Sequence, residues 1–216
     1  MKSKPGKDGP DVRAKLLDAA VRLFAEQGVA GTTVAEIARR AGVTSAMVHY
    51  YFKTKDQLLD AVVAEKLVGE FIAFVAGELD RGQPEPLALV EHLVWRIVEA
   101  SDAWPWLPPL WVREVISQGG ALREKLIQRV DLGKPERFKA GIAAAQKAGR
   151  VNPEINPQLT FMSIMALTML PLSMAKDWDR IPLIGRVSKP ELGRHVVALL
   201  QHGLAAAPAK TQGRKA

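Results

Sequence analysis

Cysteine is absent from the 216 residues, which excludes disulfide scaffolds, thiol catalysis, iron–sulfur clusters and cysteine-ligated zinc. No G-x-S-x-G, G-x-x-x-x-G-K or G-x-G-x-x-G occurs, so the usual turns for a nucleophile, a phosphate or a dinucleotide are missing. The four histidines, His49, His92, His195 and His202, fall on separate expected helices or seven residues apart, and no H-E-x-x-H joins them. No catalytic site, metal site or cofactor is therefore expected, and the chain does not read as an enzyme. Alternating Val/Ile/Thr runs and internal repeats are lacking too. The N-terminus Met1-Lys2-Ser3-Lys4-Pro5-Gly6-Lys7 has no apolar stretch after it, so no secretory signal is expected and the location reads as cytoplasmic.

What is present is charge at the ends and helical periodicity between them. Residues 1–56 hold 10 Lys/Arg against 6 Asp/Glu, residues 57–206 hold 17 of each, and Lys210, Arg214 and Lys215 follow. A neutral body with a basic head fits a polyanion-binding module on a scaffold that does not bind.

Apolar residues recur at helical spacing. Leu16, Leu17, Ala20, Leu23 and Phe24 make one stripe over 11–27, and Gly28 stops it. Thr33-Val34-Ala35-Glu36 is a capping box opening a helix to Ala41, with Gly42 as its end. Thr44 opens a short helix to about Tyr51. Thr54-Lys55-Asp56-Gln57 is a second box, and Ser188-Lys189-Pro190-Glu191 a third. Proline and Asn156-Pro157 punctuate the rest, and Gly133 with Pro135 should kink or break a helix over 121–148. The expected fold is all-α, about nine helices. Residues 1–10 and 207–216 are expected to be disordered basic tails, 11–56 a head of short helices, and 57–206 a longer helical body.

The second and third helices have about two turns each and need packed neighbours to persist. With Gly42-Val43 as the turn between them they read as a helix-turn-helix. The outward face of the third offers Thr44, Ser45, Ala46, Met47, His49 and Tyr50, with Lys53 and Lys55 flanking it and Thr33 at a helix start nearby. Such groups suit a helix entering a major groove between phosphates.

Thr32-Thr33-Val34-Ala35-Glu36-Ile37-Ala38, Ala41-Gly42-Val43 and Tyr50-Tyr51-Phe52-Lys53-Thr54-Lys55-Asp56-Gln57-Leu58 resemble the DNA-binding domain of TetR-type (tetracycline-repressor-like) transcriptional regulators. The resemblance is dense over residues 11–60 and elsewhere extends only to helix number and length. It implies a DNA-binding domain over 11–56, a ligand-binding and dimerisation domain over 57–206, a homodimer, a palindromic double-stranded DNA operator, a small-molecule effector and, by the family's habit, repression. By position it implies that Thr33 holds a phosphate, Thr44, Ser45, Ala46 and Met47 face bases or phosphates, His49 and Tyr50 touch the backbone, and Lys55 clamps a phosphate. His49 stands where the family usually has Tyr.

Residues 155–175 carry no charged side chain, long enough to raise a membrane span. Gln158, Thr160, Ser163, Thr168, Ser173 and a mid-segment Pro171 argue instead for a helix enclosed by protein. The last helix carries two apolar stripes, Leu192, Val196, Leu199, Gly203 and Ala206, then Val197, Leu200 and Leu204. Two stripes need two partners, so Ser163, Leu167, Leu192, Val196, Leu199 and Gly203 are expected at a four-helix interface between protomers. Trp95, Trp104, Trp106, Trp111, Phe138, Phe161, Met162, Met165 and Met169 are the expected lining of an effector pocket, with Arg113 placed to orient a polar group beside Glu114 and Arg96. The kink near Gly133-Pro135 lies between pocket and head, placed to pass on movement. The alternative reading is an architectural DNA-binding dimer with no effector.

Overall fold

The computed structural model describes residues 9–77, 85–131, 133–182 and 185–205. The expected tails fall outside these, apart from Gly9 and Pro10, which open the first helix. Among the described residues there is no β-strand, only an isolated bridge between Val151 and Ala205.

Helix α1 spans Gly9–Gly31 and buries its whole expected stripe, Leu16, Leu17, Ala20, Leu23 and Phe24. The stop read at Gly28 is a break: Gly28 takes φ 82°, ψ 161°, and one further turn follows. Helix α2 is Val34–Ala41. Its capping box is complete, with Glu36 N–H donating to Thr33 Oγ1 at 3.2 Å and Thr33 N–H donating to the Glu36 carboxylate at 2.7 Å. Gly42 ends it at φ 71°, and the Val43 N–H donates back to the Ala38 carbonyl at 2.9 Å. Helix α3, Ser45–Tyr51, buries only Val48.

Helix α4 begins at Lys55–Ala61, continues as a π-helical stretch over Val62–Ile72 and finishes at Ala73–Ala76. The second capping box is half formed: Thr54 accepts the Gln57 N–H, while the Gln57 side chain accepts from Lys53 N–H instead of the cap residue. Arg13 holds Glu65 with two bonds of 2.5 and 2.6 Å, fixing the π stretch to α1.

The body comprises α5 (Pro86–Ala103), α6 (Leu107–Leu110, running on as a π turn over Trp111–Ile116), α7 (Arg123–Ile127), α8 (Gly133–Lys147), α9 (Pro157–Ser173), a 3₁₀ turn (Ala175–Arg180) and α10 (Lys189–Leu204). The kink expected near Gly133 is a full break. The chain leaves helix after Ile127 and re-enters at Gly133, so Pro135 sits in the first turn of α8, where a missing N–H breaks no bond. Asn152 covers the C-terminal end of α10, donating to the carbonyls of Leu204 and Gly203.

One continuous cluster of buried side chains runs from Leu16 in the head to Leu204 in α10. The expected division after residue 56 lies inside the first turn of α4, a helix shared by both parts. Where α10 crosses α5, a Cβ on Gly193 would come within 2.8 Å of the Trp95 ring, so glycine there lets the two helices close.

Candidate nucleic-acid interface

The reading head is built from polar caps outside and a few apolar anchors inside. Ile37, Ala38, Val48, Phe52 and Leu58 turn inward. The remainder of α3 is left on the surface: Thr44, Ser45, Ala46, His49 and Tyr50 are exposed and Met47 is half-buried. Tyr50 is 77% exposed and braced edge-on by Tyr51 at 5.1 Å. Thr44 occupies the N-cap position of α3 but its side chain makes no capping bond. An exposed hydroxyl at a helix start is suited to a phosphate oxygen.

Two of the expected phosphate groups are already engaged within the chain. The Thr33 hydroxyl serves the capping box, accepting from Glu36 N–H and donating to its carboxylate at 2.8 Å. Those bonds from Thr33 hold the Glu36 carboxyl below its usual range. Lys55 is half-buried, and its ammonium donates to the carbonyls of Val29 and Thr32 at 2.6 Å each. It ties α4 to the end of α1. Lys53 is exposed. On α2, Arg40 forks onto Glu26 of α1 at 2.7 and 3.0 Å, and this hydrogen bonding lowers the Glu26 pKa.

In the body, the expected pocket residues divide. Trp106, Phe138, Met165 and Met169 are buried, and Trp104, Trp111 and Phe161 are half-buried. Several pack edge-to-face: Phe71 with Trp111 and Phe74 with Trp104 at 5.5 Å, Phe138 with Phe161 at 6.2 Å. Three expectations are corrected. Met162 is 64% exposed, on the outer side of α9. Trp95 is taken up in the α5–α10 crossing by Gly193. Arg113 is exposed, and its Cδ lies 3.4 Å from where a Cβ on Gly28 would stand, beside the head. Arg96 and Glu114 also serve other partners: Arg96 stacks on Phe74 and donates to its carbonyl, and Glu114 reaches α1. An open depression of about 370 Å³ lies elsewhere, lined by Lys139, Ala140, Ala143, Asn156, Pro157 and Gln158.

The outer side of α9 is an apolar row. Leu159, Met162, Leu167, Leu170 and Met174 are all exposed, and Leu199 of α10 is exposed as well. Ser163 is half-buried within this row, and Gly203 is exposed on α10. The first apolar stripe of α10 is split by the fold. Val196 is 1% exposed in the core, so it is not free to meet a partner as expected, while Leu192 packs against the core and stays half-buried. The reason is that α5 covers the side of α10 carrying Gly193, Val196 and Val197. Nothing in the sequence marks Leu159 and Leu170 as outward-facing. Their spacing was visible, but a helix apolar on every side gives no contrast between the inner and outer stripes. No helix among the described residues is long and apolar enough to cross a membrane.

An all-helical chain in which a capped short helix turns sharply into a second short helix that leaves its polar face on the surface, beside Lys53, defines a helix-turn-helix DNA-binding protein. Residues 16–62 match the profile of the bacterial regulatory proteins of the tetR family. The chain is 30% identical over 159 residues to the HTH-type transcriptional repressor KstR2 of Rhodococcus jostii, spanning 72% of this chain and 74% of that one. Among solved structures it superposes on the ketosteroid transcriptional regulator KstR2 of Mycobacterium tuberculosis with a TM-score of 0.69 at 20% identity, over 89% of this chain and 94% of that one. A second, the transcriptional regulator FadR of Bacillus subtilis in complex with stearoyl-CoA, gives 0.65 at 20% identity over 88% and 98%. The chain belongs to the TetR family; it is a DNA-binding transcriptional regulator and not an enzyme.

Proposed function

We propose that the protein is a homodimeric repressor that binds a palindromic operator through α3 and is released by an apolar effector held in the body. The observation that carries this is the pairing of a bare recognition helix with a bare apolar row. Leu159, Met162, Leu167, Leu170 and Met174 on α9, with Leu199 on α10, form a face that a second copy would cover through a four-helix contact. Two heads related by a twofold axis then read two half-sites about 34 Å apart. Thr44, Ser45, Ala46 and Met47 would meet base edges or phosphates, His49, Tyr50 and Lys53 the backbone, and Lys55 would offer a phosphate the N–H that its two carbonyls leave over. Thr33 would meet a phosphate only by releasing the Glu36 carboxylate.

The effector reading rests on Trp104, Trp106, Trp111, Phe138, Phe161, Met165 and Met169, apolar and adaptable side chains inside the body. The stearoyl-CoA bound by FadR supports a ligand with a long apolar part. Selection of bound sequences from random duplexes, followed by titration of the complex with stearoyl-CoA, tests both parts. The expected results are one palindrome preferred by about 10³-fold or more over random duplex, and release on titration. Sequence-independent binding would replace this reading with an architectural one. A selected palindrome that stearoyl-CoA leaves bound would withdraw the acyl-chain effector.

A further inference from the structure

Among the described residues one carboxylate is buried, and it belongs to the body. Glu114, in the π turn after α6, is 6% exposed. Its carboxylate accepts the Val29 N–H of α1 at 2.9 Å through Oε1 and the Ala121 N–H at 3.1 Å through Oε2. Burying a charge costs several kcal/mol unless it is well bonded, and the chain is shaped locally to meet that need. In an unbroken helix the Val29 N–H would bond four residues back; the left-handed break at Gly28 turns it outward instead. The positive φ favours glycine at residue 28, and any side chain there would start 3.2 Å from Glu114 Oε1, a tight contact that would press on the carboxylate. On the other side the turn closes around Glu114 itself. Leu122 N–H donates to its carbonyl at 3.1 Å, and a Cβ on Gly120 would collide with that same carbonyl.

The bonds continue into the head. The carbonyl of the same Val29 accepts from Lys55 Nζ, which also holds the Thr32 carbonyl, each at 2.6 Å. The buried Thr32 hydroxyl donates to the Gly28 carbonyl at 2.7 Å. Thr33, the next residue, caps α2. A single residue, Val29, thus joins a body carboxylate through its N–H to a lysine at the start of α4 through its C=O, one step from the cap of α2.

We propose that Glu114 is a positioning residue: through Val29 it fixes the angle of the reading head on the body, and so sets the distance between the two recognition helices of the dimer. This rests on the dimeric operator reading above. The head also packs on the body through α1, in one continuous core; apolar packing is non-directional, whereas a charge-assisted bond to the backbone adds a fixed direction to that contact.

The test uses the full chain and its selected palindrome, native and with one base pair inserted between half-sites. The wild type is expected to lose about 10-fold or more in affinity on insertion, because the second half-site rotates out of reach. Glu114→Gln presents an amide NH₂ to one of the two N–H donors. It is expected to bind the native spacing more weakly, to lose less than about 3-fold on insertion, and to keep its affinity for random duplex. A purely structural role would lower all three affinities together. Amide exchange is the independent readout: the Val29 N–H should be protected in the wild type and exchange about 10-fold faster in the variant. Should Glu114→Gln fail to fold, Glu114→Asp, one methylene too short to hold both donors, carries the same expectations. Unchanged spacing dependence, or an unprotected Val29 amide in the wild type, overturns the proposal. A wild type that prefers no duplex overturns the operator reading instead, and the Val29 amide then decides the link between Glu114 and Val29 alone.

Discussion

Lys55 and Lys53 stand two residues apart and are expected to behave differently when replaced. Lys53 is exposed, so Lys53→Ala should weaken all duplexes alike, reduce the salt slope of binding by about one and leave thermal stability nearly unchanged. Lys55 donates two bonds to the backbone. Lys55→Met should therefore weaken duplex binding and also lower the melting temperature by several degrees, since each charge-assisted bond is worth about 1.5–3 kcal/mol. Calorimetry beside a binding titration at several salt concentrations separates the two. Thr33→Ala removes the hydroxyl that caps α2, at a cost of about 1 kcal/mol. For a chain of this size that is a fall of about 2–4 °C in melting temperature. Both residues read in the sequence as phosphate contacts. The cap at Thr33 was legible from Glu36 three residues on, whereas the second duty of Lys55 was hidden, because it meets carbonyls 23 and 26 residues away, a pairing no local spacing reveals.

Among the elements, α9 and α10 each carry buried and exposed apolar side chains, and charge placed on either side tests which of them a second copy would cover. Leu170→Glu puts a carboxylate on the exposed apolar row, where Leu170 is 54% exposed. The helical signal by circular dichroism should persist, while sedimentation should show single protomers and operator affinity should collapse. Val196→Glu, in the intrachain core, should instead abolish folding, because it buries an unpaired charge. If Leu170→Glu sediments as the wild type does, α9 is not the contact between copies. The π stretch of α4 had no sequence signal. Val62, Val63, Leu67 and Phe71 are buried in it, at spacings that suit an ordinary α-helix equally well.

For the whole molecule, acid is the informative perturbant. The carboxyls of Glu36 and Glu191 are held down by hydrogen bonds to their cap residues, Glu26 by Arg40, and Asp60 by Lys125. Each binds its proton in the unfolded chain at a higher pH than in the folded one, so the unfolded state carries more protons over that interval. Stability is then full above about pH 5 and falls as pH drops through the lowered values. Melting temperatures at constant ionic strength should be flat from pH 7 to about 5 and decline below about 4. The decline should be gradual, because these groups sit at the surface and each contributes little. Removing the carboxylate with Glu191→Gln should make it shallower.

The all-helical fold, the caps and the helix-turn-helix were legible in the sequence alone, because caps, stops and amphipathic stripes are written within a few residues of where they act. The capping boxes at Thr33 and Ser188, the turn at Gly42 and the break at Gly28 all belong to this local code. Only the tertiary structure decided which apolar stripe of α9 and α10 faces inward, where Trp95 packs, and that Glu114 reaches across to Val29. Those outcomes depend on which distant helix arrives as a neighbour, and an apolar residue or a lone carboxylate carries no mark of the partner it will meet.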